Sequence, residues 1–156
     1  MKLTLTMLTA GLFLALPAYA SLPQCDAVVT EANTLLGQQG KPVVQDEKKL
    51  VALLRTLNRN AVLPAEYVTR DQARRVGWSG KDSDSLWSIW MLNKKQLGGD
   101  LWTGQPLPIK ATWRTADLDT VRGYHSNKQL IFSAESATRY LTPDNGGTLV
   151  TLDPCQ

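Results

Sequence analysis

The apolar pattern changes from a helical to an extended period part-way along the chain, and this change limits the fold more than any other feature. Apolar residues recur at helical spacing over 26–36 and 46–57, again after Thr69, and near 84–91. Four later segments are rich in β-branched and aromatic residues and are separated by turn residues: 112–118, 128–133, 138–142 and 148–152. Helices followed by strands predict an α+β domain, with N-terminal helices packed on a C-terminal antiparallel β-sheet.

Local signals indicate where some of these elements begin and end. Asp46 is placed to cap the second helix, and Thr69-x-x-Gln72 has the spacing of a capping box for the third. Gly98-Gly99 predicts a turn. The helix predicted near 84–91 presents four candidate core residues: Leu86, Trp87, Trp90 and Met91.

The first twenty residues have the pattern of a secretory signal peptide. Lys2 gives a positive start, an apolar stretch follows, and Ala18-Tyr19-Ala20 is a small-x-small cleavage site. The apolar stretch is shorter than the roughly 20 residues that cross a bilayer, which disfavours a retained anchor. We predict an exported, monomeric, single-domain protein of residues 21–156, periplasmic or extracellular, with no membrane contact after cleavage.

The chain has only two cysteines, Cys25 and Cys155, near the two ends of the predicted mature protein. In an oxidising compartment the default for such a pair is one disulfide. The alternative is two free thiols in a metal or redox site, but no histidine or CxxC spacing lies nearby. We therefore predict a Cys25–Cys155 disulfide and no metal site.

Several common chemistries lack their sequence motifs. The chain has no P-loop, no dinucleotide fingerprint, no GxSxG and no HExxH. His125 is its only histidine, so a Ser-His-Asp triad or a histidine-based metal centre is poorly supported. Removing Lys2, the only charge in the signal segment, lowers the net charge from +3 to +2. That excess does not by itself predict nucleic-acid binding, and no cofactor is indicated.

Ordered sequence blocks over residues 46–152 are similar to the barnase-type microbial ribonucleases. The main blocks are Leu63-Pro64-x-x-Tyr67-Val68-Thr69, Leu97-Gly98-Gly99-Asp100, Thr112-Trp113-Arg114-x-Ala116-Asp117 and Leu130-Ile131-Phe132-Ser133. Each block alone is a weak signal, but their common order is specific. The terminal cysteines also resemble the end-to-end disulfide of the streptomycete guanyl ribonucleases. The resemblance implies metal-independent cleavage of single-stranded RNA by a glutamate base, a histidine acid and an arginine on the phosphate.

This chain carries other residues at those three catalytic positions. The resemblance places Thr115 at the glutamate, Gln129 at the arginine and Asn145 at the histidine. A threonine hydroxyl is not a base near neutral pH, and an asparagine does not supply a proton as an acid does. The guanine-reading loop is also shortened to 102–106 and has no glutamate. We therefore predict no catalytic residue at these family positions.

A few other side chains are candidates for ligand binding in the same cleft. Arg70 matches a phosphate-facing lysine of the family, or it is a solvated residue in the first turn of its helix. His125 matches a phosphate-binding arginine, or it is an exposed turn residue. Trp102 and Thr103 lie in the shortened loop, where the indole either stacks on a base or fills the space left by the shortening.

Three functions remain open from the sequence. The first is a ribonuclease-like protein that has lost the family's cleavage and binds RNA, a nucleotide or a protein partner. The second is an atypical endoribonuclease in which His125 is the acid or base; its candidate partners are Asp117, Asp119 and Glu135, with Arg70 or Arg114 on the phosphate. The third is an exported interaction or inhibitor module that uses another surface, for example the segment 21–45.

Overall fold

A computed structural model describes residues 20–156 of the chain. The predicted signal peptide, apart from its last residue, lies outside the described residues. Within residues 20–156, no helix combines the length and the apolar character needed to cross a membrane.

Three α-helices precede most of the sheet: α1 (Cys25–Gln38), α2 (Glu47–Asn60) and α3 (Arg70–Arg75). The Asp46 side chain accepts a hydrogen bond from the backbone N–H of Lys49, at 3.0 Å, which caps α2 as predicted. Thr69 and Gln72 form the predicted capping box at the start of α3, with reciprocal hydrogen bonds of 3.2 and 2.9 Å. These caps satisfy backbone donors that the first turn of a helix leaves unpaired.

Six strands form one sheet in the order β1-β2-β3-β4-β5-β6. They are β1 (Tyr67–Val68), β2 (Gln96–Leu101), β3 (Arg114–Asp117), β4 (Gln129–Ser133), β5 (Ser136–Thr142) and β6 (Val150–Leu152). The pairings from β2 to β6 are antiparallel, while the short edge strand β1 runs parallel to β2. The predicted α+β class is confirmed, and each of the four predicted strand segments contains a strand.

The main hydrophobic core lies between α1, α2 and one face of the sheet. From the sheet it takes alternate residues of β4, Leu130 and Phe132, together with Leu141 of β5. The helices contribute Val29, Leu36, Leu50, Leu53, Leu54 and Leu57. Because side chains alternate across a strand, Gln129 and Ile131 point to the opposite face, where the candidate site lies.

The predicted turn at Gly98-Gly99 is wrong, because both glycines lie within β2. The strand bulges there: its register against β3 shifts between Gly98 and Leu101, and Gly99 has a φ of 98°. A Cβ on Gly98 would overlap the Tyr67 ring. The glycines therefore permit a bulged strand with a close aromatic neighbour, and they do not end the strand.

The predicted helix near 84–91 is also wrong. Two single 3-10 turns, Leu86–Ser88 and Trp90–Leu92, occupy this segment. Of its four candidate core residues only Leu86 is buried, and the other three are exposed. The backbone N–H of Leu86 donates to the carbonyl of Gly123, at 3.0 Å. The segment is thus hydrogen-bonded to a loop that is distant in sequence, and it does not continue as a helix.

The Cys25–Cys155 disulfide is present, with 4.9 Å between the Cα atoms. Backbone hydrogen bonds run alongside it: Cys25 N–H donates to the Gln156 carbonyl at 3.0 Å, and Gln156 N–H donates to that of Pro23 at 2.9 Å. The segment 21–45 thus supplies one packed helix, which is held against the C-terminus.

Candidate functional site

An open cleft of about 700 Å³ lies on the sheet face opposite the main core. It brings together the three family positions and the other ligand-binding candidates, while two of the carboxylates considered as partners of His125, Asp119 and Glu135, do not line it. The residues that it brings together are Arg70, Trp102, Thr103, Arg114, Thr115, His125, Gln129 and Asn145. Their roles stay predictions, but they share one concave surface.

The β3–β4 hairpin places the central residues of this cleft. Thr115 and Asp117 alternate with Ala116, which is buried in the main core, so both point to the cleft side of β3. The register pairs Asp117 with Gln129 across the two strands. This pairing puts a carboxylate beside the Gln129 amide.

Asp117 is the most enclosed charged group of the cleft, with 2% of its surface exposed. Its carboxylate accepts three hydrogen bonds: from Nδ1 of His125 at 2.8 Å, the backbone N–H of Ser126 at 3.0 Å and Nε2 of Gln129 at 3.2 Å. A buried carboxylate needs such partners, because an unpaired buried charge is strongly unfavourable. Asp117 therefore fixes the positions of both His125 and Gln129.

Of the three carboxylates considered as partners for His125, the structure brings only Asp117 into contact. Asp119 accepts instead from Nζ of Lys128, at 2.9 Å, and from the backbone N–H groups of residues 45 and 46. Glu135 accepts from the backbone N–H of Thr112, at 2.9 Å, and does not line the cleft.

His125 lies in the wall of the cleft and is not an exposed turn residue, since 9% of its side chain is accessible. The hydrogen bond to Asp117 and the charge of that carboxylate raise the pKa of His125 above its ordinary value of 6.5. Burial and the Arg70 charge oppose the increase, while Asp82 supports it. The imidazole is thus biased towards its positive form, with Nδ1 directed at Asp117.

Arg70 also belongs to the cleft, although it is held by its neighbours. Its guanidinium pairs with Asp82, with 2.8 Å between Nη2 and Oδ1, and lies 5.6 Å from the centre of the Trp78 ring. Its backbone N–H donates to the Asp100 carboxylate at 3.1 Å. No sequence pattern indicates a role for Asp82, whereas Asp100 belongs to the Leu97-Gly98-Gly99-Asp100 block.

The charges that line the cleft do not give it a positive excess. Two arginines and one histidine, Arg70, Arg114 and His125, face four aspartates, Asp71, Asp82, Asp100 and Asp117. Arg114 additionally donates from Nη1 to the Gly99 carbonyl at 2.8 Å. The cleft is therefore a weak electrostatic trap for a polyanion.

Trp102 fills much of the space beside the shortened loop. A Cβ on Gly104 would overlap its indole, and one on Gly146 would lie 2.7 Å from Cη2 of the ring. The indole nitrogen donates to the Gln105 carbonyl at 2.9 Å, and the ring packs against the cluster that contains Trp113. Most of the Trp102 side chain therefore packs in the space left by the shortened loop, as one of its two interpretations predicts. The ring also lines the cleft, where the other interpretation places a stacked base.

A tight turn after β5 holds Asn145 at the cleft rim. Asn145 has a φ of 56°, and its backbone N–H donates to the Asn127 carbonyl at 2.8 Å. Asp144 stabilises the turn by accepting from the backbone N–H and the hydroxyl of Thr148, at 2.6 and 2.8 Å. No group of three or more histidine, cysteine or carboxylate side chains within residues 20–156 is arranged to hold a metal ion.

The known proteins that are similar to this chain include three bacterial proteins, each named ribonuclease. That of Bacillus intermedius is 24% identical over 144 residues, which cover 90% of this chain and 86% of that protein. The proteins of Heyndrickxia coagulans and Bacillus pumilus are each 28% identical over 94 residues, which are 58% of this chain. These matches cover 83% of the first protein and 56% of the second. No protein-family model matches the chain. These matches of 24–28% identity support a relationship between this chain and the microbial ribonucleases.

Proposed function

We propose that this protein is a divergent barnase-type ribonuclease homologue that binds single-stranded RNA without cleaving it by the family's acid–base route. Similarity to bacterial ribonucleases supports RNA as the ligand. The observation that carries the loss of cleavage is the joint position of Thr115, Gln129 and Asn145 in one cleft. A single substitution would leave a weakened enzyme. Loss of the base, the acid and the arginine together removes groups that act as a unit.

The other carboxylates of the cleft are poor replacements for the missing base. Asp117 is buried and accepts three hydrogen bonds, and Asp100 accepts the backbone N–H of Arg70. Asp82 is paired with Arg70, and Asp71 with Arg74. A general base must approach the proton it removes to within hydrogen-bond distance, and each of these groups is committed elsewhere.

One observation favours a second candidate, an atypical endoribonuclease that uses His125. The 2.8 Å contact with Asp117 orients the imidazole and favours its protonated form. A protonated imidazole is suited to give a proton to a departing 5′-oxygen. The proton of the attacking 2′-hydroxyl, however, has no matching acceptor in the cleft, so this candidate supplies only half of the reaction.

Incubation of the oxidised protein with single-stranded RNA containing all four bases separates the two candidates. We expect no metal-independent cleavage by the natural sequence, while fluorescence anisotropy detects binding. The triple variant Thr115→Glu, Gln129→Arg, Asn145→His should gain measurable cleavage, because it restores the three chemical groups to positions that already line the cleft. The gain should disappear in the control that restores only Gln129→Arg.

Cleavage by the natural sequence that disappears in His125→Ala would overturn the proposal and establish the second candidate. Such activity should decrease as pH rises through the His125 pKa, because it would depend on the protonated imidazole. A failure to bind RNA at low salt would also overturn the proposal.

A further inference from the structure

We infer that exposed aromatic side chains beside the cleft form a stacking platform for the bases of single-stranded RNA. This aromatic platform consists of Trp87, Trp90 and Tyr124. The inference rests on the RNA binding proposed above, and it assigns much of that binding to a surface outside the cleft.

The three rings are much more exposed than aromatic side chains of a packed core. Trp90 is 84% exposed, Tyr124 46% and Trp87 40%. Aromatic rings usually contribute large buried areas to a fold, so three exposed rings on adjoining segments are a candidate binding surface.

The two segments that carry the platform pack directly against each other. The carbonyl of Gly123 accepts the backbone N–H of Leu86, and a Cβ on Gly123 would overlap the Trp87 indole. The Trp87 indole N–H donates to the Lys95 carbonyl at 3.0 Å, which fixes its ring. A ring that is already held in place loses little conformational entropy when a ligand stacks on it.

The platform is continuous with the cleft along the chain. Tyr124 immediately precedes His125, which lines the cleft beside Asp117. Asp82, in the loop before the first 3-10 turn, also lines this cleft and pairs with Arg70. Each platform segment is therefore joined by a short stretch of chain to a residue that lines the cleft.

The charge of the platform differs from that of the cleft. The segments 86–95 and 120–124 contain Lys94, Lys95 and Arg122 and no acidic residue. Lys94 and Arg122 are exposed, and neither forms an ion pair within residues 20–156. Exposed aromatic rings among unpaired basic side chains are the combination that binds single-stranded nucleic acid without sequence preference. The cleft differs in that four aspartates line it.

Anisotropy of a fluorescein-labelled, eight-nucleotide single-stranded RNA tests the inference. Trp90→Ala should weaken binding about tenfold, because base stacking on one aromatic side chain contributes roughly that much. Trp90→Phe should retain most of the affinity. Lys94→Ala should reduce the slope of log affinity against log salt by about one. Leu35→Ala, a truncation of an exposed apolar residue on α1, is the matched control and should bind like the natural sequence.

Unchanged RNA affinity in Trp90→Ala is the result expected of a protein-binding surface, and it would overturn the inference. If Arg70→Ala weakened binding in the same series, the proposed function would stand without the platform. A natural sequence that binds no RNA would overturn both.

Discussion

The contact between His125 and Asp117 gives the sharpest test of the cleft, because the chain has a single histidine. We predict that Asp117→Asn lowers the pKa of His125 from above its ordinary value of 6.5 to below it. The hydrogen bond and charge of Asp117 are the main causes of the increase. The amide of the variant can still accept a hydrogen bond but carries no charge, so burial and the Arg70 charge lower the pKa, and only the Asp82 charge opposes them.

The same substitution should destabilise the fold in a pH-dependent way. Asp117 is 2% exposed and accepts three hydrogen bonds, so its removal breaks a buried pair and costs about 3–5 kcal/mol at pH 5. A raised histidine pKa in the folded state stabilises the protein below the unfolded pKa, and this contribution is lost as pH rises through the folded value. The loss in free energy of unfolding caused by Asp117→Asn should therefore be smaller at pH 9 than at pH 5. It should not reach zero, because the hydrogen bonds from Ser126 and Gln129 to Asp117 do not depend on the charge of His125.

Proton NMR of the imidazole Cε1–H measures the pKa from one unambiguous resonance, and urea unfolding at pH 5 and pH 9 measures the stability. Asp82→Asn is the control: it removes a weaker influence on His125 and should lower the pKa less. An unchanged His125 pKa in Asp117→Asn would refute the reasoning, as would equal destabilisation at both pH values.

Two further predictions concern the packing around the site and the ends of the chain. Gly146→Ala should lower the free energy of unfolding by about 1–3 kcal/mol, because Gly146 has a φ of 94° and its new Cβ would meet the Trp102 ring at 2.7 Å. Urea unfolding should show a larger loss of stability than in Gly40→Ala, where φ is also positive but no atom lies within 4 Å of the new Cβ. Equal losses in the two variants would contradict the packing of Trp102. Replacing Cys25 and Cys155 by serine should lower the free energy of unfolding by about 5 kcal/mol, because the disulfide spans 130 residues and constrains the unfolded chain. The urea m-value should rise, because the unfolded state without the disulfide is more expanded. A loss of stability below about 1 kcal/mol would argue against this mechanism.

The sequence predicted those parts of the fold that depend on near neighbours. The Asp46 cap and the Thr69–Gln72 capping box each involve residues only three positions apart, so their patterns are visible without any tertiary information. Gly98 was misassigned because its role depends on Tyr67, which lies far from it in the sequence and on another strand. The segment near 84–91 was misassigned for the same reason, because its backbone is hydrogen-bonded to Gly123, which lies far away in the sequence.

The composition of the cleft was more predictable than its interactions. The block 112–117 aligned Thr115 and the block 130–133 aligned Gln129 beside it, and both residues line the cleft. The pairing of Asp117 with Gln129 follows once the β3–β4 register is known. The Arg70–Asp82 pair had no such signal, because it depends on the path of an irregular loop.

The meeting of Cys25 with Cys155 makes most of the described chain a covalent ring. A protease that cut once in the exposed loop 81–84 would leave the two fragments linked, and only a reductant would release them. The same proximity means that a short peptide could join residues 23 and 156 directly. New termini could then be opened in that loop, which would give a circular permutant with the same helices and sheet.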